Sequence, residues 1–136
     1  MTKAADIMTT DPTTIDQSDP VSDAFRALSH APYHHLVVMA GDKPVGMVSS
    51  TDLLRLVHGA EGTDPGSGYD YLDQQFTMDD AMSADLKTVG VDASLREVAA
   101  ALADGSLHSV VVVSESGSLA GIVTTTDLAR HVRDNS

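Results

Sequence analysis

Gly46-Met47-Val48-Ser49-Ser50-Thr51-Asp52-Leu53 returns later in the chain as Gly121-Ile122-Val123-Thr124-Thr125-Thr126-Asp127-Leu128. Each copy reads as a glycine, a short apolar strand, a hydroxyl residue, and an aspartate three places on that opens a helix. A strand running through a hydroxyl into a helix N-terminus presents backbone N–H groups where an anion can be received.

The repeat extends in both directions. Asp6-Ile7-Met8-Thr9 returns as Asp80-Ala81-Met82-Ser83, 74 positions later, and Thr14-Ile15 returns as Thr88-Val89. Val21, Ala24, Phe25 and Leu28 fall at i, i+3, i+4, i+7, one face of an amphipathic helix, and Leu95, Val98, Ala99 and Leu102 repeat that spacing. His34-His35-Leu36-Val37-Val38 matches His108-Ser109-Val110-Val111-Val112 before one extra residue enters the second turn. Ser18 or Asp19 is placed to cap the first helix, with Pro20 in its first turn. Asp92 or Ser94, with Glu97, caps the second, and Gly105 ends it. Strands His35–Met39 and Pro44–Ser49, then Ser109–Val113 and Leu119–Thr124, form hairpins. Closing helices are expected over Thr51–His58 and Thr126–Arg133.

The order in each copy is strand, helix, strand, strand, helix. The expected division is a first motif over 1–58, a connecting segment over 59–77 and a second motif over 78–136. A unit of this size cannot cover both faces of its sheet alone, whereas two units packed sheet to sheet can. The fold class is α+β. Gly59–Gly68 reads as a mobile surface loop. Tyr69–Phe76 holds three of the five aromatic residues and is expected to pack on the core, with a partner chain as the alternative.

Composition narrows the function classes. Apolar residues make up 42 % of 136, with no Trp and no Cys, so small aliphatic residues fill the core and disulfides are excluded. The net charge of −12 and the scattering of the eight cations argue against nucleic acid or anionic membranes as partners. Neither an apolar leader nor a membrane-length apolar run is present, and a cytoplasmic protein is expected.

These residues resemble the cystathionine β-synthase (CBS) domain family, as a tandem CBS pair or Bateman module. The resemblance covers roughly Ala5–Leu56 and Met78–Val132. It is carried by Asp-Ile-Met-Thr and Asp-Ala-Met-Ser at the unit starts, the His-rich second strand and the two corners. It implies two β-α-β-β-α motifs related by a pseudo-twofold axis, with two clefts between them that in many members take AMP, ADP, ATP or S-adenosylmethionine. It also implies a homodimer, a regulatory role such as energy sensing, and signalling to an unidentified protein partner.

Two readings of the corners share one geometry. Ser49 with Asp52, and Thr124 with Asp127, can form capping boxes with no ligand at all. In ligand-binding members of the family the matching aspartate accepts hydrogen bonds from ribose hydroxyls, and the matching Ser or Thr lies near ribose or phosphate. The resemblance likewise places Thr14, Ile15, Thr88 and Val89 beside the adenine, although a β-branched pair also suits a short edge strand. His34-His35 and His108-Ser109 stand where phosphate-binding members, such as the gamma subunits of energy-sensing kinases, often carry His-Arg. His35 and Ser109 lack the permanent charge of arginine. Arg55 and Arg130 are spaced to pair with Asp52 and Asp127. Lys87 is the cation assigned to one cleft, and its counterpart Thr13 is neutral.

Neither a nucleophile elbow nor a His-Glu-x-x-His helix is present, so no enzyme activity, catalytic cofactor or metal site is expected. The sequence therefore reads as a stand-alone regulatory module for an adenine nucleotide. The alternatives are a ligand-free dimerisation scaffold and an S-adenosylmethionine sensor.

Overall fold

Runs of β-branched residues set the strands, and amphipathic spacing sets the helices between them. The computed structural model describes residues 2–29, 35–59, 73–84, 86–104 and 109–135. His34, His108, Gly105, most of the Gly59–Gly68 loop, Tyr69 and Tyr71 lie outside them. The first motif runs α1 (Ala4–Ile7), β1 (Thr14–Asp16), α2 (Val21–Ser29), β2 (His35–Ala40), β3 (Lys43–Ser49) and α3 (Ser50–Gly59). The second runs α4 (Met78–Ala81), β4 (Thr88–Gly90), α5 (Leu95–Asp104), β5 (Ser109–Val113), β6 (Leu119–Thr124) and α6 (Thr125–Asn135). Both closing helices exceed their expected spans at each end.

The strands form two three-stranded sheets, β1-β2-β3 and β4-β5-β6. In the first, β1 is parallel to β2 with Thr14 opposite Val37; in the second, β4 is parallel to β5 with Thr88 opposite Val111. β5 and β6 are antiparallel, with Ser109 opposite Thr124. The parallel pairs are joined through α2 and α5, as a parallel connection requires.

The chain divides into two compact units whose segments are interleaved. One contains Thr13–Gly41 and Val45–Asp85. Its core is Ile15, Val21, Ala24, Leu28, Leu36, Val38, Val48, Leu53, Met78 and Ala81, with Phe76 packed against it. The other contains Met1–Pro12, Asp42–Pro44 and Leu86–Ser136. Its core is Ala4, Ala93, Val98, Leu102, Val110, Val112 and Val123, with Ile7, Met8 and Leu128 beside it. Each sheet thus carries a helical element that precedes the other motif in sequence: α4 lies with β1-β2-β3, and α1 with β4-β5-β6.

This exchange explains the glycine that begins each corner. Thr9 and Ile122 exchange main-chain hydrogen bonds at 2.7 and 3.1 Å, and Met47 and Ser83 do so at 2.9 and 2.8 Å. A Cβ at Gly121 would stand 2.5 Å from the Thr9 carbonyl oxygen and 2.8 Å from Met8 Sδ. At Gly46 it would stand 2.6 Å from Met82 Sδ and 2.9 Å from the Ser83 carbonyl oxygen. The Met-Thr and Met-Ser pairs that open the two motifs therefore fill the space a side chain would need.

The start of α2 differs from the sequence expectation. Ser18 donates its N–H and hydroxyl to Asp16 Oδ1, and Asp19 Oδ2 accepts the Asp16 N–H, so both expected caps close a turn instead. Pro20 intervenes before the helix, and the first-turn N–H of Ser22 goes to Asp73. At α5 the expected Ser94 cap forms: Ser94 Oγ accepts the Glu97 N–H at 3.2 Å, while the Glu97 carboxylate meets the Ser94 hydroxyl at 3.5 Å. Among the described residues no helix is long and apolar enough to cross a membrane.

Candidate functional site

Strand direction brings the candidate residues of each unit to one end of its sheet. In the unit containing β4-β5-β6, Thr88 opens β4, Ser109 opens β5 and Thr124 closes β6. In the other, Thr14 opens β1, His35 opens β2 and Ser49 closes β3. Residues scattered over about forty positions in each motif are thereby placed at the end of the sheet that carries the strand-to-helix corner.

Both corners are capping boxes. Asp52 Oδ2 accepts the Ser49 N–H at 2.9 Å, while the Asp52 N–H donates to Ser49 Oγ at 3.1 Å. Asp127 Oδ2 accepts the Thr124 N–H at 3.0 Å, and its own N–H donates to Thr124 Oγ1 at 3.1 Å. Arg55 and Arg130 each approach the remaining carboxylate oxygen at 3.6 Å, the i, i+3 pairs expected from spacing. The aspartate side chains are 17 % and 10 % exposed, so each is held nearly flush with the corner. Each carboxylate keeps lone-pair capacity beyond these contacts, because two oxygens offer about four acceptor sites.

The surroundings of the two corners differ. Thr9 Oγ1 lies 3.5 Å from Asp127 Oδ2. A cavity of about 170 Å³ opens beside this aspartate, bordered by Ile7, Asp127, Arg130, His131, Asp134 and Asn135. Asn135 Nδ2 lies 3.2 Å from His131 Nδ1 and donates to the His131 carbonyl at 2.9 Å. Sequence reasoning passed over Ile7 and His131. His131 stands where the first copy has Leu56, one of several differences between the two closing helices.

The remaining candidates are placed as follows. Ile15 is buried in its core cluster and Val89 packs against its own, so both side chains face inward. Thr14 and Thr88 are exposed. The Lys87 side chain is exposed, while its carbonyl accepts the Val111 N–H; Thr13 does the same for Val37. His35 is half-buried, and Ser109 is buried. Among the described residues no cluster of His, Asp and Glu is arranged to hold a metal ion.

Chemically, each corner offers a half-buried, fixed acceptor at a helix N-terminus. Such a carboxylate suits paired hydroxyl donors, and the adjoining helix dipole suits an anion.

A family model described as the CBS domain matches the sequence twice, over residues 4–59 and 78–134. No curated protein matches it significantly. Among solved structures, a CBS domain-containing protein of unknown function from Bacillus anthracis superposes with a TM-score of 0.84 at 16 % identity. That alignment covers 100 % of this chain and 96 % of the other. CBSX2 in complex with AMP gives 0.80 at 23 % identity, covering 98 % of each chain. The CBS domain pair of protein MJ0100, in complex with 5′-methylthioadenosine and S-adenosyl-L-methionine, gives 0.78 at 22 % identity. It covers 100 % of this chain and 99 % of that one.

Proposed function

The chain belongs to the CBS domain family, as a tandem pair of such domains, and from that premise we propose that it is a regulatory module binding an adenine nucleotide. The ligand is AMP, ADP or ATP, and its ribose hydroxyls donate to Asp52 or Asp127. Ser49 and Thr124 lie toward ribose or phosphate, and main-chain groups at Thr14-Ile15 and Thr88-Val89 border the adenine. His34, His35, His108 and Lys87 serve the phosphate side. The duplicated corner carries this reading: two nearly buried carboxylates, each fixed by its own helix cap and each able to accept further hydrogen bonds.

The module works by binding rather than catalysis. It assembles as a homodimer of chains carrying motifs over 1–58 and 78–136, and it signals to a protein partner. Ligand shifts the module between states only through unequal affinity for them.

Calorimetric titration of nucleotide-stripped protein with AMP, ADP and ATP tests the proposal. Charge-assisted hydrogen bonds are worth about 1.5–3 kcal/mol, so Asp52→Ala or Asp127→Ala should weaken the occupied site about ten- to a hundredfold. Absence of heat with all three nucleotides overturns the nucleotide reading, and absence of heat with S-adenosylmethionine as well leaves the corners as helix caps in a dimerisation scaffold.

One observation favours a second ligand. The chain carries a net charge of −12, and His35 and Ser109 stand where phosphate binders often have arginine. S-adenosylmethionine, a cationic adenosine compound, suits that balance, and the structure of the MJ0100 pair includes this molecule. Including it in the same titration separates the two ligand classes.

A further inference from the structure

Helices α2 and α5 are counterparts in the repeat, yet their first turns are completed differently. α5 is capped from within by Ser94, whose Oγ accepts the Glu97 N–H and whose hydroxyl meets the Glu97 carboxylate. Pro20 and Asp23 occupy the corresponding places at α2. Proline suits a helix entry but has no side-chain oxygen with which to cap it. The acceptor at α2 comes instead from much later in the chain. Asp73 Oδ1 accepts the Ser22 N–H at 2.8 Å, and Asp73 Oδ2 accepts the Ser22 hydroxyl at 2.6 Å. Ser22 is 1 % exposed, and the carboxylate faces the positive end of the helix dipole.

From Asp73 the chain continues along the same unit. Phe76 packs on its core, Gln17 Nε2 donates to Asp79 Oδ1 at 2.8 Å, and Met78 and Ala81 are buried. Ser83 then exchanges main-chain hydrogen bonds with Met47, two residues before the Ser49 corner. Residues 73–83 thus form a strap across one unit. Its far end is fixed by buried apolar side chains, and its near end by a half-buried carboxylate on a single serine. Local opening begins at the end with fewer buried apolar contacts, here the Asp73 end.

We propose that Asp73 is a detachable helix cap that couples the chain entering the second motif to the start of α2. α2 packs on α3, the helix that begins at the Ser49–Asp52 corner. A hollow of about 240 Å³ between them, lined by Phe25, Leu28, Leu53 and Leu54, leaves α2 room to shift. Release of Asp73 loosens the first turn of α2, and that looseness passes to the first turn of α3. The device requires no bound ligand and therefore goes beyond the nucleotide reading.

Amide hydrogen exchange on the full chain tests this coupling. Asp73→Ala should speed exchange about tenfold at Ser22 and Asp23, and less at Leu53, while Val98 in α5 keeps its wild-type rate. Asp73→Asn retains one acceptor for the Ser22 N–H and should give a smaller change at the same amides. Pro20→Ser places a hydroxyl where Ser94 accepts the Glu97 N–H in α5, so adding it to Asp73→Ala should restore protection at Asp23, the matching amide, and at Leu53. Unchanged exchange at Ser22 and Asp23, equal acceleration at Val98, or failure of Pro20→Ser to rescue overturns the proposal.

Discussion

The two strand-to-helix corners match almost atom for atom, and the segments around them do not. Ser49–Asp52 and Thr124–Asp127 have the same reciprocal hydrogen bonds within about a tenth of an ångström, and their arginines stand at the same 3.6 Å. Asp127 also meets the Thr9 hydroxyl and faces a cavity lined by Ile7 and His131. At the matching places the first corner has Ser83, Ala81 and Leu56. The capping box is closed by residues three apart, so duplication reproduces it wherever the four-residue sequence recurs. The cavity is bordered mainly by α6 with Ile7 brought from elsewhere, and at Ile7 and His131 the copies have diverged. A ligand bound at either corner would meet the same capping groups but different surroundings.

The largest effect that can break this comparison lies at the paired glycines. A Cβ at Gly121 meets a main-chain carbonyl first, whereas one at Gly46 meets the movable end of Met82. Gly121→Ala is expected to cost about 3 kcal/mol and Gly46→Ala about 1–2 kcal/mol, read from chemical denaturation. Equal losses would mean that the two exchanged segments yield equally, contrary to the difference in their contacts.

Removing the corner hydroxyls is the next test. Ser49→Ala and Thr124→Ala should each lower stability by about 1 kcal/mol, through loss of the cap to the Asp52 or Asp127 N–H. Similar values support local equivalence of the corners; a clearly larger loss at Thr124 would extend the asymmetry into the cap itself.

The arginine pairs should matter less. Arg55→Ala and Arg130→Ala are expected to change stability by a few tenths of a kcal/mol, because both guanidinium groups are largely exposed. The change should shrink further in 1 M salt, and a thermal melt at low and high ionic strength reads it.

The smallest effect concerns Asp16, whose counterpart is Gly90. The Ser18 hydroxyl and then the Ser18 N–H hold its carboxyl below the ordinary carboxylate range. A folded value below the unfolded one makes this contribution complete above about pH 4, and it is lost as pH falls through the folded value. Ser18→Ala should move the Asp16 titration, followed by carboxyl NMR, up toward the ordinary value. An unmoved titration would assign the depression to the main chain alone.

Much of the architecture was legible because its signals are short-range or periodic. The β-α-β-β-α order, the Ser94 cap and both aspartate corners rest on spacings of a few residues, whereas the short helices α1 and α4 ahead of that order were not anticipated. The cap of α2 was misread for the same reason: Ser18 and Asp19 are good capping residues, but the turn with Asp16 engages them and Asp73 serves the helix. Ile15 and Val89 showed their β-branched character in sequence but not that each side chain faces inward. His131 was overlooked because a histidine on a polar helix gives no sign of the cavity beside it.

The sequence by itself determined the duplication, the element order and the two capping boxes, since hydrogen bonds between residues three apart and helical or strand periodicity are encoded locally. Tertiary structure alone decided that Met8 lies on Gly121, that Met82 lies on Gly46 and that Asp73 holds Ser22. Those contacts join residues tens of positions apart. Each such residue could pair with several equivalent groups until burial of the apolar side chains around it selects one partner.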